Sequence, residues 1–114
     1  MTKYIAMPQT PISRSKAEFR ANVIKSLAHP SRIQMVDALA GGERCVCDLA
    51  ELVGADMSTV SKHLSLLKAV GLVGVKKRGL NQFYHLKCGC LTDFFRCVDT
   101  IAKANTRELQ AACR

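Results

Sequence analysis

The sequence has no long apolar run, and no cysteine occurs in its first 44 residues. A transmembrane helix needs about 20 consecutive apolar residues, and no segment approaches that length. Residues 1–15 also lack the apolar stretch of a secretory signal. These absences argue against the membrane-spanning and secreted classes, and we expect a cytoplasmic protein.

Six cysteines are present, but no two of them are spaced as Cys-x-x-Cys. Thiols stay reduced in the cytoplasm, so this number favours metal or redox chemistry over a disulfide framework. The missing spacing leaves little support for a zinc finger or a thioredoxin-like site. The cysteines form three groups along the chain: Cys45 and Cys47, then Cys88, Cys90 and Cys97, and finally Cys113.

Acidic residues are scarce: nine Asp and Glu stand against 17 Lys and Arg, which gives a formal net charge of +8. A basic excess of this size is typical of nucleic-acid binding, although a ribosomal or membrane-surface role also fits it. A chain of 114 residues is the size of one domain. It holds one core, or half of a core that a second copy completes.

The chain divides into a loose arm and one domain. Residues 1–14 carry two prolines and no apolar period, which predicts a flexible arm, and residues 15–114 form the domain. Apolar residues at helical spacing predict a first helix over residues 15–27. Pro30 suits the first position of a second helix that ends at a Gly-Gly stop. We interpret His29, between the two helices, as a boundary residue rather than a ligand.

A helix-turn-helix follows, and then a hairpin. A helix over residues 48–53 ends at Gly54, and Asp56 is the predicted N-cap of the next helix, which runs to Ala69. Alternating segments at 73–77 and 82–86 predict a β-hairpin, or wing. An apolar helical stripe from residue 91 to 102 predicts a last helix. The fold class is therefore mainly α with a small β-hairpin, about five helices and a wing.

The helix that follows Asp56 separates its residue types by face. Its apolar residues Val60, Leu64 and Leu67 are predicted to point inward. Outward hydroxyls in the first turn allow close approach to base edges, and flanking cations hold phosphates, although a merely solvated face is the alternative. His63 contacts phosphate or packs. The predicted DNA-binding residues are Ser58, Thr59, Ser61, Lys62, His63 and Lys68, with Lys76, Lys77 and Arg78 on the wing.

The segment Cys45-Val46-Cys47 lies at the start of the helix-turn-helix. In an extended segment residues i and i+2 point to one side, so both thiols can face one ion. We place Cys47 near a helix N-cap, where the dipole favours the thiolate and lowers a cysteine pKa. Two cysteines give only part of a closed metal site, and small half-buried apolar residues are the alternative interpretation.

From Leu27 to Leu86 the chain resembles the ArsR/SmtB family of winged-helix repressors. The motifs that carry the resemblance are Leu-Ala-His-Pro-Ser-Arg at 27–32, Cys-Val-Cys-Asp-Leu at 45–49, Ser-Thr-Val-Ser-Lys-His-Leu at 58–64 and Gly-Leu-Val at 71–73. The resemblance implies a homodimer whose first and last helices build the subunit interface. It also implies binding to operators of two-fold symmetry, and release from them when a metal or metalloid binds.

Within that resemblance, the ligand positions point to trivalent arsenic or antimony. Zinc sensors use histidine on the last helix, and residues 91–114 have none; cadmium and lead sensors add cysteines from the N-terminal arm, which are missing here. Arsenic sensors share Cys-Val-Cys-Asp-Leu and often have a third cysteine where this chain has Ala50. Cys88, Cys90 and Cys97 either form a separate site or supply the third thiolate, within one subunit or across the dimer. Cys113 is less favoured because chain ends are usually mobile.

The sequence therefore predicts a repressor released from DNA by As(III) or Sb(III) on cysteine thiolates, with no organic cofactor. One alternative keeps the fold and senses another soft metal such as cadmium or lead, or thiol oxidation or persulfide. A second alternative is nonspecific DNA or RNA binding through charge alone. An enzyme is not expected, because no Ser/His/Asp or paired-carboxylate arrangement is present.

Overall fold

A computed structural model describes residues 10–112, and their side chains up to residue 107. Most of the predicted arm, residues 1–9, and Cys113 lie outside the described residues. The elements in chain order are α1 (Arg14–Leu27), α2 (Pro30–Leu39), β1 (Arg44–Cys45), α3 (Val46–Val53), α4 (Met57–Ala69), β2 (Val73–Arg78), β3 (Asn81–Leu86) and α5 (Leu91–Ala112). The predicted winged helix-turn-helix with five helices is confirmed.

Local signals set most of the helix boundaries. Pro30 begins α2 as predicted, and His29 is its N-cap, with Nδ1 accepting the Ser31 N–H at 3.1 Å. The Asp56 carboxylate accepts the Thr59 N–H at 2.7 Å and starts α4, which confirms the predicted N-cap. Gly54 ends α3 at φ +68°, a left-handed conformation that a residue with a Cβ adopts at a cost.

The hairpin belongs to a three-stranded antiparallel sheet in the order β1-β3-β2. The strands β2 and β3 pair from Val73 opposite Leu86 to Arg78 opposite Asn81, so the turn is tighter than the predicted segment 78–81. The sequence did not reveal β1, because two residues are too short to show an alternating pattern. Its pairing sets Cys45 opposite Phe83 and joins the cysteine segment to the wing.

The cysteine segment differs from the prediction in one respect. The helix α3 begins at Val46 and its N-cap is Cys45, so Cys47 lies inside the first turn rather than near the cap. Val46 is buried with Leu49 and Ala50, and burying this residue draws the first turn onto the core. The segment is therefore half strand and half helix.

The core lies between α2, α3, α4 and the sheet. Val60, Leu64 and Leu67 were predicted to point inward from α4, and this is confirmed, since each side chain is fully buried. Burying a side chain of this size contributes about 1.5–3 kcal/mol. Helix α5 differs, because Leu91 at its start is buried while Phe94, Val98 and Ile101 are exposed. In the described part of the chain, no helix is both long enough and apolar enough to cross a membrane.

Candidate functional site

The outer surface of α4 carries hydroxyls and cations above a buried apolar face. All of the predicted contact residues on this helix except His63 are exposed: Ser58, Thr59, Ser61, Lys62 and Lys68. The Thr59 N–H, together with the Thr59 and Ser58 hydroxyls, holds the pKa of the Asp56 carboxyl below its ordinary value. The cap is therefore charged at neutral pH, and it fixes the start of the helix that presents these groups.

The wing adds cations at the far end of β2. Lys76, Lys77 and Arg78 are exposed, as predicted for phosphate contacts. Arg78 donates to Glu43 at 2.8 Å, and its guanidinium lies 5.4 Å from the centre of the Phe83 ring. Among the described ion pairs neither wing lysine has a carboxylate partner, so on the wing Lys76 and Lys77 present unpaired cations and Arg78 a paired one.

His63 is turned away from the exposed face of α4. Its Nδ1 accepts the Arg32 Nε–H at 3.0 Å, and its ring centre lies 4.4 Å from that of His29. Burial, followed by the nearby His29 and Arg32, lowers the pKa of His63, so the ring is neutral at pH 7. His63 thus packs against His29 and Arg32, and its phosphate contact stays a prediction. Arg32 also donates to the Ser26 carbonyl and so joins α4 to the end of α1.

Cys45 and Cys47 lie side by side, with their sulfur atoms 3.3 Å apart. Cys45 is half-buried and Cys47 is exposed. The Asp48 N–H lowers the pKa of Cys45, but the Cys47 thiol, desolvation and the Asp48 carboxyl raise it, and the net pKa lies above its ordinary value. The expectation of a lowered pKa was wrong for Cys45, because a neighbouring thiol and a carboxylate oppose the helix start.

The thiol pair opens into a cleft of about 220 Å³ between the cysteine segment, the first turns of α4 and the wing turn. The residues that line this cleft are Cys45, Val46, Cys47, Met57, Ser61, Leu80, Asn81 and Gln82. The two elements predicted to touch DNA thus form walls of the cleft that holds the two thiols. Sequence reasoning missed this cleft, because its walls come from three separate segments.

Cys88 and Cys90 form a second pair, with sulfur atoms 3.2 Å apart. The Leu91 N–H bonds to the Cys88 carbonyl at 3.2 Å, so the two cysteines lie in a turn directly before α5. The contact with Cys88 raises the pKa of Cys90. Cys97 is exposed on α5. Among the described side chains, no three Cys, His, Asp or Glu residues gather closely enough to hold a metal ion.

An apolar face runs along α1 and α5. Phe19 is 65% exposed, Ile24 53% and Ile101 60%. Two adjoining clefts of about 420 and 300 Å³ share Ile24, Leu27 and Phe94 among their lining residues. Exposed aromatic and branched residues in one contiguous stripe indicate a surface that another apolar surface covers.

A family model described as bacterial regulatory protein, arsR family, matches residues 29–75. The HTH-type transcriptional regulator Rv0324 of Mycobacterium tuberculosis is 34% identical over 92 residues, which are 81% of this chain and 41% of that regulator. The chain thus spans less than half the length of Rv0324. An arsenical resistance operon repressor of Staphylococcus xylosus is 33% identical over 94 residues, which are 82% of this chain and 88% of that repressor.

Among solved structures, the chain is similar to the homodimeric winged helix-turn-helix DNA-binding domain Mb0332 from Mycobacterium bovis. That solution structure has a TM-score of 0.70 and 32% sequence identity, and the match covers 88% of this chain and 95% of that one.

Proposed function

The chain belongs to the arsR family of bacterial regulatory proteins, and from this premise we propose that it is a DNA-binding transcriptional repressor released by As(III) or Sb(III). The observation that carries the proposal is the thiol pair of Cys45 and Cys47, which shares one cleft with the recognition helix α4 and the wing. We place its action in the cytoplasm, and we assign it no enzymatic activity and no organic cofactor.

The DNA-binding half of the proposal rests on charge and placement. The exposed hydroxyls of Ser58, Thr59 and Ser61 sit in the first turns of α4, where a recognition helix reads base edges. Lys62 and Lys68 flank them, and Lys76, Lys77 and Arg78 extend the basic surface along the wing. In this arrangement the lysines supply phosphate contacts and the hydroxyls supply selectivity.

The binding unit is a homodimer on double-stranded operator DNA. The apolar stripe of α1 and α5 provides the interface, because exposing side chains such as Phe19 and Ile101 to water is unfavourable and a second subunit covers them. The homodimeric Mb0332 domain supports this assignment. A two-fold protein then requires an operator with two half-sites related by the same symmetry.

The effector chemistry follows from the sulfur atoms. Trivalent arsenic is soft and prefers thiolates. In arsenite each thiol proton leaves with one hydroxide as water while a sulfur–arsenic bond forms, so three thiols replace three hydroxides. Cys45 and Cys47 supply two of them. Cys88, Cys90 or Cys97 of either subunit supplies the third, or these three form a separate site of their own. Within one subunit either arrangement requires the thiols to move together, because no three such ligands lie together among the described side chains.

Release is a coupling between the thiol cleft and the DNA surface. The thiol pair occupies the N-cap and first turn of α3, the helix that precedes the recognition helix, so an effector there changes how α3 and α4 pack. Reciprocity requires that bound DNA weaken effector binding by the same factor, typically about 1–3 kcal/mol.

A fluorescence-anisotropy titration with a two-fold symmetric operator tests this function. Arsenite is expected to release the wild type, while Cys45→Ser with Cys47→Ser binds the operator and keeps it. The comparison variant is Cys88→Ser with Cys90→Ser, which removes an equally close pair away from α4 and reports whether that pair contributes a thiolate. Equal release of the wild type and the Cys45/Cys47 variant would reject this pair as the sensing site.

The two close thiol pairs also favour a second candidate, an oxidant or persulfide sensor with the same fold, since sulfur atoms 3.2–3.3 Å apart are near disulfide partners. Cadmium or lead on the same thiols is a further alternative. Anaerobic titration with arsenite separates these candidates from the arsenic proposal. That proposal requires release from the operator without any oxidant, together with a thiolate-to-arsenic absorption band. Binding that ignores operator symmetry and every effector would instead indicate a nonspecific basic protein.

A further inference from the structure

We infer that the thioether of Met57 is a third sulfur donor in the Cys45–Cys47 cleft, and that the cleft therefore accepts the monovalent soft cation Cu(I). This inference rests on the proposed function only in placing effector binding at these two thiols. It adds an effector class and a ligand that the sequence did not indicate.

The placement of Met57 carries the first step. Met57 is the first residue of α4, is 53% exposed, and lines the same cleft as both thiols. A methionine side chain is unbranched with three rotatable bonds, so its sulfur adapts its position across a cleft of about 220 Å³.

The remaining walls of the cleft point to a soft ion. Besides the three sulfur residues, the lining consists of apolar Val46 and Leu80 and of the neutral polar side chains of Ser61, Asn81 and Gln82. The lining of this cleft thus contains neither the carboxylates that Mg²⁺ and Ca²⁺ require nor an imidazole for Zn²⁺. Its strongest donors are sulfur atoms.

A thioether distinguishes Cu(I) from As(III). Each bond that arsenic forms at this site replaces a hydroxide by an anionic sulfur, and the neutral thioether has no proton to give up and cannot take that place. Thiolate and thioether ligands together select Cu(I). Two thiolates and one neutral sulfur around a monovalent cation also leave a single negative charge beside a basic surface.

The same ligand couples the ion to DNA binding. Cys45 caps α3 and Met57 begins α4, so an ion held by both fixes the relative position of the two helices across the turn at Gly54. Met57 follows directly after the Asp56 cap and precedes Ser58, whose hydroxyl donates to that cap at 3.0 Å. A displacement of Met57 by a bound ion therefore displaces the first turn of the recognition helix.

The test measures Cu(I) affinity of the full chain under anaerobic conditions by competition with a colorimetric Cu(I) chelator. Met57→Leu keeps the volume and removes the sulfur, and Leu66→Ala is the control on the same helix, since Leu66 is exposed and does not line the cleft. Met57→Leu is expected to weaken Cu(I) binding by about tenfold or more, which corresponds to about 1.4 kcal/mol, and Leu66→Ala to leave it unchanged. X-ray absorption at the copper edge should count one sulfur neighbour fewer in Met57→Leu.

Wild-type Cu(I) affinity in Met57→Leu, with an unchanged sulfur count, would overturn the inference. The outcome for the proposed function is read separately, from arsenite release of the same variants. If Met57→Leu still loses its operator on adding arsenite while its Cu(I) affinity falls, both proposals hold and the thioether serves copper alone. If arsenite still releases the Cys45/Cys47 serine variant, this pair is rejected as the arsenic-sensing site, and the copper measurement on Met57→Leu is unaffected.

Discussion

Cys45 and Cys47 flank a buried residue beside the recognition helix, whereas Cys88 and Cys90 flank an exposed glycine before α5. Both pairs have the same spacing, and their sulfur atoms are 3.3 and 3.2 Å apart. The neighbours differ: the first pair shares a cleft with α4 and the wing turn, and the second lies at the start of the helix that carries the apolar stripe. The Cys-x-Cys spacing brings two thiols together, and the place of the pair in the fold decides which part of the protein it influences.

The largest expected effect tests that difference directly. Serine at Cys45 and Cys47 should abolish arsenite-induced loss of operator affinity, a response of about 5- to 150-fold for typical coupling energies. Serine at Cys88 and Cys90 should reduce it less, because that pair does not line the α4 cleft. Anisotropy with and without arsenite measures both. Equal loss in the two variants would show that the pairs act as one site across the dimer.

The residues between the cysteines give the next effect. Val46 is buried, so Val46→Ala removes two buried methyl groups and should lower the free energy of unfolding by about 2 kcal/mol. Gly89 is exposed, and a Cβ built there meets no atom within 4 Å, so Gly89→Ala should change stability by less than about 0.5 kcal/mol. Urea denaturation measures both changes. A neutral Val46→Ala would contradict the anchoring of the first turn of α3.

Much of this arrangement was predictable from local sequence. Pro30, Gly54 and Asp56 act through their own backbone and side chain, so they placed helix ends correctly. The spacing also predicted that Cys45 and Cys47 meet, although the reason given, an extended segment, was wrong because Val46 starts a helix.

Long-range contacts could not be predicted in this way. Cys45 pairs with Phe83 in the sheet, and Arg32 donates to His63 31 residues away. Neither partner leaves a periodic signal near the other. The proposed role of Met57 as a sulfur donor depends on the same tertiary packing. The wing turn must fold against the start of α4 before Met57 and the two cysteines line one cleft.

Proton release sharpens the comparison further, because both pairs contain a thiol with a raised pKa. Contacts with their partner thiols contribute to raising the pKa of Cys45 and of Cys90, so both are protonated at pH 7. Arsenite should then bind with almost no net proton release, since thiol protons and hydroxides combine to water. Cu(I) or Cd(II) instead displaces the protons into solution, and its affinity should rise with pH.

Calorimetry in two buffers of different ionisation enthalpy measures the protons released per ion. The same titration of the two serine double variants assigns those protons to one pair or the other. Substantial proton uptake from the buffer with arsenite at pH 7 would mean that the thiols are already ionised, because each thiolate would then displace a free hydroxide, and this would contradict the raised pKa of Cys45 and Cys90.

The smallest expected effect concerns the ion pair beside the first thiol pair. Glu43 lies two residues before Cys45 and binds Arg78 at 2.8 Å, with side chains 30% and 57% exposed. Such an exposed pair contributes about 0.2–1 kcal/mol, so Glu43→Gln should lower the unfolding free energy only slightly. The substitution also frees Arg78 for a phosphate, so operator affinity should rise slightly at low salt, and the salt dependence should steepen by about one phosphate contact.

Glu18→Gln, which breaks the exposed Arg14–Glu18 pair on α1, is the matched control and should leave the salt slope unchanged. An unchanged slope in Glu43→Gln would mean that Arg78 already contacts DNA with its carboxylate partner in place, or does not contact DNA at all.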